Sequence, residues 1–133
     1  AGRRARRGNE RGIKAVSIVS GMHYREIDIT LDNCVYGNTK FLYLSPERLR
    51  NEMVIERISK MNVNLFAIDE AHCISQWGYD FRPSYLEIVE IRKVHPKVPV
   101  LALTATATTE VVTDIQKRLE FKKTNVYQKS FES

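Results

Sequence analysis

The chain has 133 residues, enough for one domain and too few for two. Its apolar fraction of 43% supports a core but is far too dispersed for a transmembrane span. The net charge of +5 is uneven: Arg3, Arg4, Arg6, Arg7 and Arg11 against Glu10 put four of the five charges in residues 1–12, and the rest is near neutral.

Residues 1–12 are rich in Gly and Arg and poor in apolar residues. They read as a basic tail, disordered or added for expression, and residues 13–133 as the folded part. Ile13 to Val19 alternates and ends in Ser20-Gly21, a strand and a turn. Ile27, Leu31 and Cys34 recur at helical spacing between His23 and Cys34, and Gly37-Asn38 stops that helix. Lys40 to Leu44 is a second strand. Ser45 then stands at an N-cap and Pro46 at the first position of a helix expected to run to Met61, burying Leu49, Met53, Ile55 and Ile58.

Leu65 to Ile68 is a short unbroken apolar run, the pattern of a strand buried in a parallel sheet. It ends in two adjacent carboxylates, Asp69 and Glu70. Ligands of open α/β sheets sit at the carboxyl ends of strands, so acids there are placed for chemistry. One can hold a divalent cation through its water shell while the other orients and deprotonates a water. The plain alternative is a turn. Ile74 to Tyr85 follows, with the only Trp, a Phe and two Tyr among polar residues, and Gly78 and Pro83 as breakers. No period buries all these rings on one face. Aromatics with Arg are what single-stranded nucleic acid needs for stacking; the alternative is a loop whose rings fold back onto the core.

Pro83 starts a helix to about His95, with Leu86, Val89 and Val94 among its inward candidates. Val100 to Leu103 is a fourth strand, ending in Thr104-Ala105-Thr106-Ala107-Thr108. A helix beginning near Thr108 or Thr109 and ending by Phe121 follows, with Glu110 early and Lys117-Arg118 late, matching the helix dipole. Asn125 to Phe131 alternates as a last strand. Strand alternating with helix implies an α/β fold, a parallel sheet with helices on both faces. His23 and His95 read as structural. Cys34 and Cys73 lack metal-ligand spacing and read as reduced thiols.

The run Asp69-Glu-Ala-His-Cys-Ile-Ser-Gln-Trp-Gly-Tyr-Asp-Phe-Arg-Pro83 resembles motif II and the aromatic-rich loop of the RecQ family of DNA helicases. One position departs: Tyr79 stands where the family commonly has His, and a tyrosine cannot be a cation. Phe41-Leu-Tyr-Leu-Ser-Pro-Glu-Arg-Leu49 resembles motif Ib, and Leu101-Ala-Leu-Thr-Ala-Thr-Ala-Thr108 resembles motif III. The likeness covers nearly all of residues 12–132.

The resemblance implies a RecA-like first motor domain of an ATP-dependent 3′-to-5′ DNA helicase active in DNA repair and recombination. Asp69 would hold Mg²⁺ through water and Glu70 would be the catalytic base on ATP. His72, Arg82, Thr104 and Thr106 would couple hydrolysis to DNA movement. Trp77 and Phe81 would contact single-stranded DNA, in a loop that also holds Ser75, Gln76 and Tyr79. Ser45 and Arg48 would meet the DNA backbone. Substrates would be single-stranded and branched DNA. The compartment would be the cytoplasm of a bacterium or the nucleus of a eukaryote.

The chain contains no Gly-x-x-x-x-Gly-Lys-Ser/Thr. The family's phosphate loop is expected upstream and its second motor domain downstream, and the isolated chain is expected to be inactive. In RecA-like domains the phosphate-loop strand lies between the motif III strand and the strand after it. Either the last segment closes that gap, or copies of the chain self-associate through it. Two other readings stay open: a non-catalytic nucleic-acid or partner-binding module, and an RNA-directed DEAH-box motor.

Overall fold

The computed structural model describes residues 14–105, 108–123 and 125–128. Strand β1 (Ala15–Ile18) is followed by Gly21 at φ +80°, the left-handed turn its missing Cβ permits. Helix α1 (Tyr24–Tyr36) comes next, capped by His23, whose Nδ1 accepts from the Arg25 N–H at 3.1 Å. Strand β2 (Phe41–Leu44) returns parallel to β1, with Ala15 opposite Phe41 and Ile18 opposite Leu44.

The single helix expected over 46–61 is two pieces, a 3₁₀ turn (Pro46–Arg50) and helix α2 (Glu52–Lys60). Asn51 divides them. Its backbone is extended and its side chain accepts from the Met53 N–H at 2.9 Å, the capping competition that short polar side chains offer. The break resets the helical phase. Val54 and Ile58 are buried, whereas Met53 and Ile55 are only half-buried. Ser45 makes no side-chain capping bond. Arg57 of α2 clamps Asp28 (2.6 Å) and Asp32, one turn apart on α1.

Strands β3 (Phe66–Ile68) and β4 (Val100–Ala102) form a second parallel pair, Phe66 opposite Val100. Helix α3 (Leu86–Val94) crosses between them, and helix α4 (Thr109–Arg118) follows β4. Thr108 caps α4, its Oγ1 accepting from Val111 N–H at 3.3 Å. The helix ends at Arg118, within the expected limit of Phe121. Glu120 turns left-handed at φ 57°, its N–H donating to the Lys117 carbonyl and the Phe121 N–H to the Gln116 carbonyl. Arg92 of α3 donates to the Leu119 and Glu120 carbonyls beyond it. A guanidinium there supplies donors and positive charge to the spare carbonyls of the helix end.

The fold is α/β with parallel strands, as expected, and its core is in two parts. Ile18, Ile27, Leu31, Leu49, Val54, Ile58 and Ile91 pack around the first strand pair. Ile68, Ala71, Ile74, Val111, Ile115 and Leu119 pack around the second. Ile88 of α3 touches both, so α3 divides its apolar residues between two faces. That is why Ile91 is its buried residue, while Leu86, Val89 and Val94 are half-buried. The opposite face of the second pair, with Leu65 (51% exposed), Leu101 (46%) and Leu103 (45%), is open among the described residues.

The expected last strand is corrected in part. Asn125 to Gln128 are in no strand, and Lys129 to Phe131 lie outside the described residues. A strand exists only where a neighbour takes its N–H and C=O groups, and among the described residues β4 offers this segment no ladder.

Candidate active site and aromatic loop

The two acids follow directly on β3. The ladder carries on past the strand ends: Leu103 N–H donates to the Ile68 carbonyl (2.8 Å) and Ala71 N–H to the Leu103 carbonyl (2.9 Å). Asp69 and Glu70 are thereby held against the end of β4. Asp69 accepts the Glu70 N–H at 3.0 Å. Glu70 adopts the left-handed conformation, φ 52° and ψ 44°, at a cost of about 1–2 kcal/mol for an L-residue with a Cβ. Strain of this kind gathers at functional sites. Both carboxylates are exposed, while the 3₁₀ turn they lead into (Ala71–Ile74) is wholly buried.

His72 lies at the centre of the site, 2% exposed. Its Nδ1 is 2.8 Å from Thr104 Oγ1. Its Nε2 is 3.6 Å from Glu70 Oε2, near enough to feel the charge and short of a hydrogen bond. A carboxylate on that side favours the tautomer with the proton on Nε2, leaving Nδ1 to accept from the Thr104 hydroxyl. One face of the ring stacks on Tyr79, centroids 4.8 Å apart and planes 16° apart. One imidazole thus joins the acid, the end of β4 and the aromatic loop.

The loop is built from the inside. Ser75 is fully buried; its hydroxyl donates to Asp114 Oδ2 (2.7 Å) and accepts the Trp77 N–H (3.1 Å). Gly78 is required, since a Cβ there would lie 2.8 Å from the His72 carbonyl oxygen. Arg82 closes the loop through its N–H to the Cys73 carbonyl (2.9 Å), and its guanidinium meets Asp80 at 3.1 Å. Trp77 is 71% exposed, so its ring does not fold back onto the core, whereas Tyr79, 75% exposed, lays one side of its ring on the buried His72. Gln76 and Arg82 are exposed and Phe81 is half-buried. The Tyr85 hydroxyl donates to the Asp69 carbonyl at 3.2 Å, and burial, aided by nearby negative charge, pushes its pKa up to about 12.

Hard carboxylate oxygens at a strand end are what Mg²⁺ takes, so Asp69 and Glu70 fit that ion. His72, Cys73 and Asp80 also bring donor atoms within 4.8 Å of one another. Each is already engaged: His72 with Thr104, Cys73 with Asp80 and Asp80 with Arg82. Burial pushes the Cys73 thiol up, which keeps it a donor to Asp80. We read this trio as a hydrogen-bonded cluster.

Ser45 and Arg48 belong to the other strand pair. The Arg48 guanidinium donates to the Val19 carbonyl at 2.7 Å, bracing the end of β1. Thr106 lies outside the described residues. Sequence reasoning missed Asp114 and the carbonyl-binding role of Tyr85. Asp114 is 39 positions from Ser75, and no periodicity relates them.

The family model of DEAD/DEAH box helicases matches residues 3–115. The ATP-dependent DNA helicase RecQ of Bacillus subtilis is 46% identical over 123 residues, 92% of this chain and 21% of the relative. The probable ATP-dependent DNA helicase RecS of the same organism is 45% identical over 107 residues, 80% of this chain and 21% of the relative. The chain belongs to the DEAD/DEAH box helicases, in the RecQ family. A putative ATP-dependent RNA helicase of Acanthamoeba polyphaga mimivirus is 44% identical over 95 residues, 70% of this chain and 17% of the relative. The chain spans 21% of the length of the RecQ and RecS relatives. The parallel strands and their helices are part of a RecA-like α/β helicase domain. No helix of the described residues is long and apolar enough to cross a membrane.

Proposed function

We propose that this chain carries the hydrolysis and DNA-sensing elements of an ATP-dependent 3′-to-5′ DNA helicase that works on single-stranded and branched DNA in repair and recombination. The observation that supports it most is the environment of His72. Its ring faces Glu70 on one nitrogen and Thr104 on the other, with Tyr79 of the aromatic loop stacked against it. A change in the charge at Glu70 is felt at the imidazole and passes to β4 and to the loop.

In this reading Glu70 takes the proton of the water that attacks the γ-phosphate of ATP, and the strained backbone holds its carboxylate ready. Asp69 would hold Mg²⁺, which when bound would supply positive charge against the phosphates. Trp77 and Phe81 stack on bases, with Gln76 and Arg82 beside them. Ser45 and Arg48 meet the DNA backbone from the first strand pair. The isolated 133-residue chain turns over no ATP, because none of its loops has the phosphate-cradling glycine-lysine pattern. The protein works inside the cell, in bacterial cytoplasm or a eukaryotic nucleus.

The RNA helicase among the relatives favours a second reading, an RNA-directed motor. Unwinding of matched DNA and RNA duplexes by the full-length protein separates the two. Glu70→Gln in that protein is expected to abolish hydrolysis and unwinding while nucleotide binding survives. Hydrolysis that persists in Glu70→Gln removes the base from this glutamate. A full-length wild type that binds nucleic acid without hydrolysing ATP makes the chain a binding module.

A further inference from the structure

Asp114 sits outside the motif II, aromatic-loop and motif III segments and is 39 positions from the residue it holds. Its two carboxylate oxygens have separate partners. Oδ1 faces Arg118 Nε at 3.6 Å along α4, and Oδ2 accepts the Ser75 hydroxyl at 2.7 Å. The Asp114 side chain is 13% exposed and Ser75 is fully buried. The Ser75 oxygen in turn accepts the Trp77 backbone N–H at 3.1 Å. A buried hydroxyl has one proton to give, and here it goes to a carboxylate, the stronger kind of acceptor. Trp77 and Asp114 also line one groove, with Thr109, Glu110, Thr113 and Lys117 of α4.

We propose that Asp114 is the positioning residue of the aromatic loop, holding Trp77 through Ser75 so that the loop moves with helix α4. Helix α4 starts five residues after Thr104, the residue that binds His72. The site therefore reaches the loop by two routes. One is direct, from His72 to Tyr79; the other runs along β4 and α4 to Asp114 and Trp77. Ser75 is then an internal anchor and not a contact with DNA. The inference rests on the loop reading above for its purpose, but its geometry can be tested with no nucleic acid present.

Trp77 is the only tryptophan of the chain, so its time-resolved fluorescence anisotropy reports the loop alone. In Ser75→Ala and in Asp114→Ala the amplitude of the fast nanosecond motion is expected to about double. The double variant should show no more than either single one, since both cut the same link. Asp114→Asn should stay close to wild type because its amide oxygen still accepts the hydroxyl. Arg118→Gln, which removes only the other partner, should leave the amplitude unchanged. Circular dichroism monitors folding; should Asp114→Ala unfold, Ser75→Ala carries the test by itself. An unchanged amplitude in a folded Ser75→Ala or Asp114→Ala overturns the proposal, as does an equal rise in Arg118→Gln. A loop that passes this test yet leaves DNA binding untouched would count against the DNA reading and not against the anchor.

Discussion

The ring of His72 lies against the ring of Tyr79, 4.8 Å between centroids and 16° from parallel. His72 is buried and Tyr79 is 75% exposed, so the tyrosine roofs the histidine. A stacked pair contributes about 0.5–1.5 kcal/mol beyond area burial. Tyr79→Ala should therefore destabilise the chain by about 1 kcal/mol in urea unfolding, whereas Tyr79→Phe, which keeps the ring, should not. Equal losses in both would assign the effect to the phenol hydroxyl instead.

Glu70 is held at φ 52° by the bonds that flank it. Glycine adopts that conformation without penalty. Glu70→Gly should raise stability by about 1 kcal/mol and abolish hydrolysis in the full-length protein. A midpoint of denaturation that falls in Glu70→Gly would show that the backbone there is unstrained.

Trp77 offers an exposed ring on an anchored backbone. Stacking on one base contributes roughly 1–3 kcal/mol. In the full-length protein, Trp77→Ala should lower DNA-stimulated ATPase by more than basal ATPase. If both fall by the same factor, the ring acts in packing and not in sensing DNA.

Tyr85 is raised to about 12, first by burial. The unfolded chain loses this proton near pH 10 while the folded chain keeps it. Stability from this residue is thus full below pH 10 and is lost as pH rises through 12. Tyr85→Phe should remove that part of the alkaline fall, and absorbance at the tyrosinate band should lose its latest-titrating phase. An unaltered profile would place another tyrosine at the raised pKa.

Leu65, Leu101 and Leu103 lie on a face of the second strand pair that is open among the described residues, and exposed edges and faces invite pairing with another copy. The isolated chain should sediment as a concentration-dependent oligomer, and Leu101→Lys should shift it toward monomer. A wild-type chain that stays monomeric at high concentration would contradict this.

The elements were legible where the signal is local. Breakers and apolar runs marked all four observed strands, and Pro83, Thr108 and the acids fell where the residues predict. The helix over 46–61 was misread because the capping of Asn51 competes with a helical pattern that continues in composition. Asn125 to Gln128 alternate as a strand does, yet strand pairing is a property of a neighbour and not of the segment.

The amino-acid sequence by itself determined the α/β class, the placing of Asp69 and Glu70 at a strand end, and the RecQ-like aromatic loop, since each is written in contiguous residues. The tertiary structure alone decided the rest. It set the left-handed turn at Glu70, which follows from ladder bonds between β3 and β4. It brought Thr104 and Tyr79 onto one histidine, and it tied Ser75 to Asp114 across 39 positions. These contacts form only when distant segments pack, and side-chain chemistry carries no record of which partner lies opposite.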